Sequence, residues 1–127
     1  MAARRIKILF QNNTQQTLNW VDSGVEHGER SVVAPDQINS RDTGNWALES
    51  DGFATGCEGW MTWRIGDNGP TVTLEYSNPY AGENSYSCSV DSNAFTVDWN
   101  GGSNDWAEVR FFVNQKETPQ DDDDDSC

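Results

Sequence analysis

The chain has 127 residues, enough for one domain with its own core, and carries a formal net charge of −13, with five aspartates in the run at 121–125. Even without that run the excess of acid excludes nucleic acid as a partner, because phosphate backbones are held by Lys and Arg. It also excludes electrostatic attraction to anionic membranes, so any membrane contact must be apolar, hydrogen-bonded or aimed at neutral head groups.

In chain order, MAARRIKILF opens basic but has too short an apolar core for a signal peptide, which implies synthesis in the cytoplasm without one. Alternation marks strands in IKILF (6–10), TLNW (17–20), WALES (46–50), WMTWRI (60–65), TVTLEY (71–76), AFTVDW (94–99) and WAEVRFFV (106–113). Turn-forming clusters at 11–16, 66–70, 77–84 and 100–105 separate them. Residues 22–45 are polar, with VVAP and Ile38 as anchors, and read as a meander of short edge strands and loops. No segment has a helical period and none is long and apolar enough to cross a bilayer. The pattern predicts an all-β fold, a single antiparallel β-sandwich over residues 4–115. Residues 116–127 have nothing to bury and are expected to form a disordered acidic tail. Its aspartates lack the spaced ligands, central Gly and closing Glu of a calcium loop, so no metal or cofactor is expected.

Side chains alternate across a strand, so inward and outward sets can be assigned. Met61, Trp63 and Ile65 face in, as do Ile6, Ile8 and Phe10, then Val72, Leu74 and Tyr76, then Phe95, Val97 and Trp99, and finally Ala107, Val109, Phe111 and Val113. Trp60, Trp106 and Phe112 are left facing out. They either cover the outer faces of the sheets, as cross-strand aromatics do, or form a contact surface for lipid, sugar or protein. A second candidate patch is SNPYAGENSY (77–86), where Pro79 sets a turn, Gly82 frees it and Tyr80 stands at the tip, with Asn84 close by.

Signs of catalysis are thin. His27 is the one histidine and has no nucleophile motif around it. Nucleotide-binding, nucleophile-elbow and zinc-protease patterns are absent. Glu49, Glu58 and Glu75 could supply a glycosidase pair, but with 21 acidic residues some proximity arises by chance. The chain is therefore expected not to be an enzyme. Cys57, Cys88 and Cys127 make neither a zinc spacing nor an even disulfide set; a Cys57–Cys88 bridge stays open, with two separate thiols favoured.

The runs LESDGFATGCEGWMTWRI and LEYSNPYAGENSY resemble the aegerolysin family, above all the small component of bacterial binary insecticidal toxins. Glu49, Ser50, Gly52, Phe53, Thr55, Gly56, Glu58 and Gly59 carry the first part of the pattern. Asn78, Pro79, Ala81, Gly82, Asn84 and Tyr86 carry the second. NNTQQTLNW is similar to the family's first hairpin, and the likeness spans about residues 4–113. It implies a β-sandwich made without a signal peptide and a non-enzymatic lipid-binding cytolysin component. It further implies action at target-cell membranes beside a larger pore-forming protein, on a membrane lipid or glycolipid. Self-association into a homo-oligomer stays open. In fungal members of the family, exposed aromatic loops at one end meet the bilayer, and their aromatic aligns with Tyr80. Thr55 stands where fungal members place an acidic lipid-selectivity residue, so their lipid preference does not transfer.

The lipid- or receptor-binding set expected from these readings is Tyr80, Trp60, Trp106, Phe112, Pro79 and Asn84. A lectin-like carbohydrate-binding module without lytic activity is the competing function, since it would use the same exposed aromatics with neighbouring Asn and Asp.

Overall fold

Alternation of apolar and polar residues governs the architecture. The computed structural model describes residues 2–116, which form ten strands and no helix. These are β1 (Arg5–Asn13), β2 (Leu18–His27), β3 (Glu29–Val32), β4 (Gln37–Ile38) and β5 (Thr43–Glu49). They continue with β6 (Cys57–Ile65), β7 (Thr71–Asn78), β8 (Ser85–Val90), β9 (Phe95–Gly101) and β10 (Trp106–Gln115). Two five-stranded sheets, in the orders β3-β5-β1-β10-β9 and β4-β2-β6-β7-β8, pack face to face as a sandwich. The expected acidic tail lies, from residue 117 on, outside the described residues; Lys116 still donates its N–H to the Ala94 carbonyl at 2.9 Å.

In β1, β6, β7 and β10 buried and more exposed residues alternate, as a sheet buried on one face requires. Ile6, Ile8, Phe10, Val109, Phe111 and Val113 meet Met61, Trp63, Ile65, Val72, Leu74 and Tyr76 between the sheets. Trp63 is fully buried, with ring centroids 6.0 Å from Phe10 and 5.8 Å from Trp46. Trp46 Nε1 donates to the Tyr76 hydroxyl at 3.1 Å, giving that buried phenol a partner. Aromatic pairs of this kind each add about 0.5–1.5 kcal/mol beyond their area.

Several expectations need correction. The sandwich is antiparallel except for one pair: β1 and β10 run parallel in the middle of the first sheet. The polar segment after Trp20 is no mere meander, because β2 continues to His27 along β6. Register shifts between Trp20 and Asp22 and between Val25 and His27 broke the alternation on which a strand reading depends. SYSCSV is a further strand, β8, that the alternation had not marked. Its inward residues Tyr86, Cys88 and Val90 pack against the core, but serines between them lower the hydrophobic signal. Trp99, expected inside, is 37% exposed. Cys57 and Cys88, by contrast, are the separate free thiols that the sequence favoured.

Candidate functional site

One end of the sandwich gathers the start of β1, the loop after β5, the loop between β7 and β8, and the loop between β9 and β10. Arg4 ties them together. Its Nη2 donates to the Tyr80 carbonyl at 2.6 Å and its Nε to the Pro79 carbonyl at 3.2 Å. The same guanidinium lies 4.6 Å from the centroid of the Tyr80 ring and 3.5 Å from an Asp105 carboxylate oxygen. Its backbone N–H donates to Ser50 Oγ, and its carbonyl accepts the Ser50 N–H, both at 3.0 Å. Asn78, buried, donates its side-chain amide to the carbonyls of Arg5 at 3.1 Å and Asp105 at 2.7 Å.

The loop SDGFATG is wound tightly. Thr55 Oγ1 donates toward the Asp51 and Gly52 carbonyls, Gly52 has φ of 110°, and Ala54 sits in the left-handed region with φ of 56°. The result holds Phe53 at the tip, 96% exposed. Burying a Phe is worth about 1.5–3 kcal/mol, so a fully exposed one on a strained loop calls for a function. This residue was absent from the expected site, although the glycines flanking a lone Phe in a polar run were its signal.

Tyr80 and Trp106 share this end, 46% and 49% exposed. The Trp106 indole N–H donates to the Ala2 carbonyl at 3.2 Å, and the Arg5 guanidinium stands 5.4 Å from its ring centroid. Gly56 shows how close the loops lie: a Cβ there would fall 2.6–2.8 Å from backbone atoms of Asn78, Pro79 and Tyr80. A cleft of about 380 Å³ opens beside them, lined by His27, Asp51, Thr55, Cys57, Pro79 and Tyr80. Burial pushes the Cys57 thiol up to about 11, so it is a poor nucleophile.

Of the other expected residues, Pro79 is half-buried beside Tyr80. Asn84 donates to the carbonyls of Gly102 and Asn104 at 2.7 and 3.0 Å and so holds a loop. Trp60 is half-buried on the outer face of the second sheet, donating to Glu26 at 3.3 Å. It borders a groove of about 480 Å³ that also contains Glu26, Glu58 and Glu75. Phe112 lies half-buried on the outer face of the first sheet, level with Gln11 and Asp98, away from the Tyr80 end.

Both arginines of the aromatic end stand in ion pairs, although the buried Arg5 Nε makes no hydrogen bond. Arg5 Nε pairs with Glu49 at 3.4 Å, as Arg4 does with Asp105, and both arginines also rest on aromatic rings. His27 stands 3.9 Å from Glu58, a pair that counts only when the imidazole is protonated. Among the described residues, no three His, Cys, Asp or Glu side chains are grouped to hold a metal ion.

No protein-family model and no curated protein matches the sequence. Solved structures do match in shape. The lipid-binding protein Nakanori superposes with a TM-score of 0.82 at 11% identity, over 91% of this chain and 73% of that one. RahU, solved in complex with a TRIS molecule, superposes with a TM-score of 0.77 at 14% identity, over 93% of this chain and 99% of that one. At such identities the likeness is one of fold.

Proposed function

We propose that this chain is a non-enzymatic lipid-binding protein of the aegerolysin type that docks on a membrane through the end carrying Phe53, Tyr80 and Trp106. The observation that carries this reading is the exposure of Phe53, 96%, on a loop touching that of Tyr80. A ring held out from a braced loop can enter the interface between head groups and hydrocarbon, where aromatic residues are favoured. The arginines at this end are already paired, so attraction to anionic lipid contributes little. The lipid-binding protein Nakanori, which has the same fold, supports the assignment.

On the sequence resemblance, the chain would be the targeting half of a two-component pore-forming toxin of the insecticidal type. Its larger partner would supply the pore. It would act at target-cell membranes, alone or as a homo-oligomer.

Flotation with phosphatidylcholine vesicles, the same vesicles containing phosphatidylserine, and insect midgut membranes tests the docking. Wild type should bind neutral vesicles at least as well as anionic ones, with little dependence on salt. Phe53→Ser and Tyr80→Ala should each weaken binding while leaving the fold intact. Equal binding by wild type, Phe53→Ser, Tyr80→Ala and Trp106→Ala would exclude the aromatic end as the membrane contact.

A further inference from the structure

The edge strands β8 and β9, from opposite sheets, meet beside the β9–β10 loop and leave a cavity of about 400 Å³ there. Its aromatic wall is Trp99, 37% exposed, with Tyr86 behind it at 5.2 Å between ring centroids. Its polar groups come from Glu83, Ser103, Asn104 and Asp105. We infer that this cavity is a carbohydrate site, with one pyranose ring stacked on Trp99 and its hydroxyls bonded by those four residues.

The chemistry of the wall points to a sugar. A pyranose has a flat C–H face that suits an exposed indole and a rim of hydroxyls that need both donors and acceptors. Carboxylates at Glu83 and Asp105 accept, the Asn104 amide does both, and the Ser103 hydroxyl does both. The cavity size falls in the usual range for small-molecule sites, about 300–1,000 Å³.

The loop that presents these groups is held rigid by others. Tyr86 donates its hydroxyl to the Gly102 carbonyl at 2.8 Å, and Asn84 donates to the Gly102 and Asn104 carbonyls. A Cβ on Gly102 would run into the Tyr86 ring, and Gly101, Gly102 and Asn104 all have φ between 81° and 87°. Because Asn84 and Tyr86 do the bracing, the side chains of Glu83, Ser103 and Asn104 are left to face a ligand. A braced loop with spare polar groups is how a preformed site is built.

The site uses none of Phe53, Tyr80 or Trp106 and meets the membrane-docking end only through Asp105, which also pairs with Arg4, so the two binding activities can be read separately. Its sugar could be a free glycan or the head group of a glycolipid, and both are tested. The full chain is applied to a glycan array, where multivalent display compensates for weak single-sugar binding. In parallel it is floated with phosphatidylcholine vesicles with and without galactosylceramide or glucosylceramide. We expect a set of bound glycans sharing one terminal pyranose, or vesicle binding raised by one glycolipid. Trp99→Ala should reduce that binding about tenfold or more, and Trp99→Phe should retain most of it. Asn104→Gly keeps the left-handed backbone while removing the amide and should weaken binding several-fold. Phe53→Ser should leave array binding unchanged. No glycan bound and no response to either glycolipid would overturn the proposal. So would sugar binding that is unaltered in folded Trp99→Ala or, should that variant not fold, in both Asn104→Gly and Glu83→Gln.

Discussion

Gly24 of β2 lies directly across from Trp60 of β6, and the indole rests where a side chain at Gly24 would be. A Cβ on Gly24 would stand 2.5 Å from Trp60 Nε1 and 2.8 Å from Cε2. An outward-facing tryptophan thus hides part of its surface against its own sheet. Gly24→Ala should push the indole off the strand, shift tryptophan fluorescence to the red and cost about 1–3 kcal/mol, the usual range for overpacking. An unchanged emission spectrum with unchanged stability would show that the ring does not rest there.

Trp60 and Trp63 should differ sharply in what their loss costs. Trp63 is fully buried among Phe10 and Trp46, so Trp63→Ala should lose about 3–5 kcal/mol or prevent folding. Trp60→Ala gives up only a half-buried contact and should cost about 1–2 kcal/mol. Denaturant melts of the two variants decide this, and the reverse order would refute the facing assigned to β6. Trp63 Nε1 has no hydrogen-bond partner among the described residues, so Trp63→Phe should be far milder than Trp63→Ala.

Arg4→Lys keeps the charge but loses the fork that reaches the Pro79 and Tyr80 carbonyls together. The loss should be about 1.5–3 kcal/mol, the range for hydrogen bonds to a charged group. The loops at 50–56 and 79–84 should become more open to proteases than in wild type. Identical digestion patterns would mean that Arg4 does not brace them.

Gly56→Ala tests the contact between the Phe53 and Tyr80 loops without changing either ring. The new methyl would meet the backbone of Asn78 to Tyr80, which cannot swing aside like a flexible side chain. Melting temperature and membrane binding should therefore fall together. A folded, fully binding Gly56→Ala would show that the loops can part without harm.

Alkaline pH should destabilise the fold. Burial pushes the Cys57 thiol from 9.0 to about 11 and the Tyr76 phenol from 10.0 to about 12. Between the unfolded and folded values the unfolded chain holds fewer protons, so stability falls as pH rises. The loss should begin near pH 9 with the thiols, Cys88 contributing in the same sense, and deepen above pH 10. Thermal melts from about pH 8 to 11 read it out. A flat profile would mean that these groups titrate normally in the folded state.

Much of the frame was legible in sequence. The inward sets of IKILF, WMTWRI, TVTLEY and WAEVRFFV are buried as alternation required. Local pattern failed where geometry was not local. The pairing of the first and last strands joins residues about a hundred positions apart and leaves no trace in either segment. Trp99 keeps the inward phase of β9 but lies near the strand's end, where the core gives way to the loop cavity. At the candidate site, Tyr80 and Trp106 could be found from turn chemistry and strand phase. Phe53 escaped because loop residues carry no period: the flanking glycines mark a turn, but the exposure of the ring depends on how the Gly52 and Ala54 backbones wind.

The parallel pairing of β1 with β10 has a mechanical consequence. The two strands stay in register over nine positions, from Arg5 opposite Trp106 to Asn13 opposite Asn114. A tension pulling Arg5 and Gln115 apart therefore acts along the strands in opposite senses. It loads the slanted, evenly spaced bonds of a parallel ladder together as shear, where a hairpin would be peeled open one bond at a time. Forced rupture is governed by the unfolding rate, and a shear clamp keeps that rate low. The line from the aromatic end to the opposite end is therefore the direction in which this sandwich best resists being pulled apart.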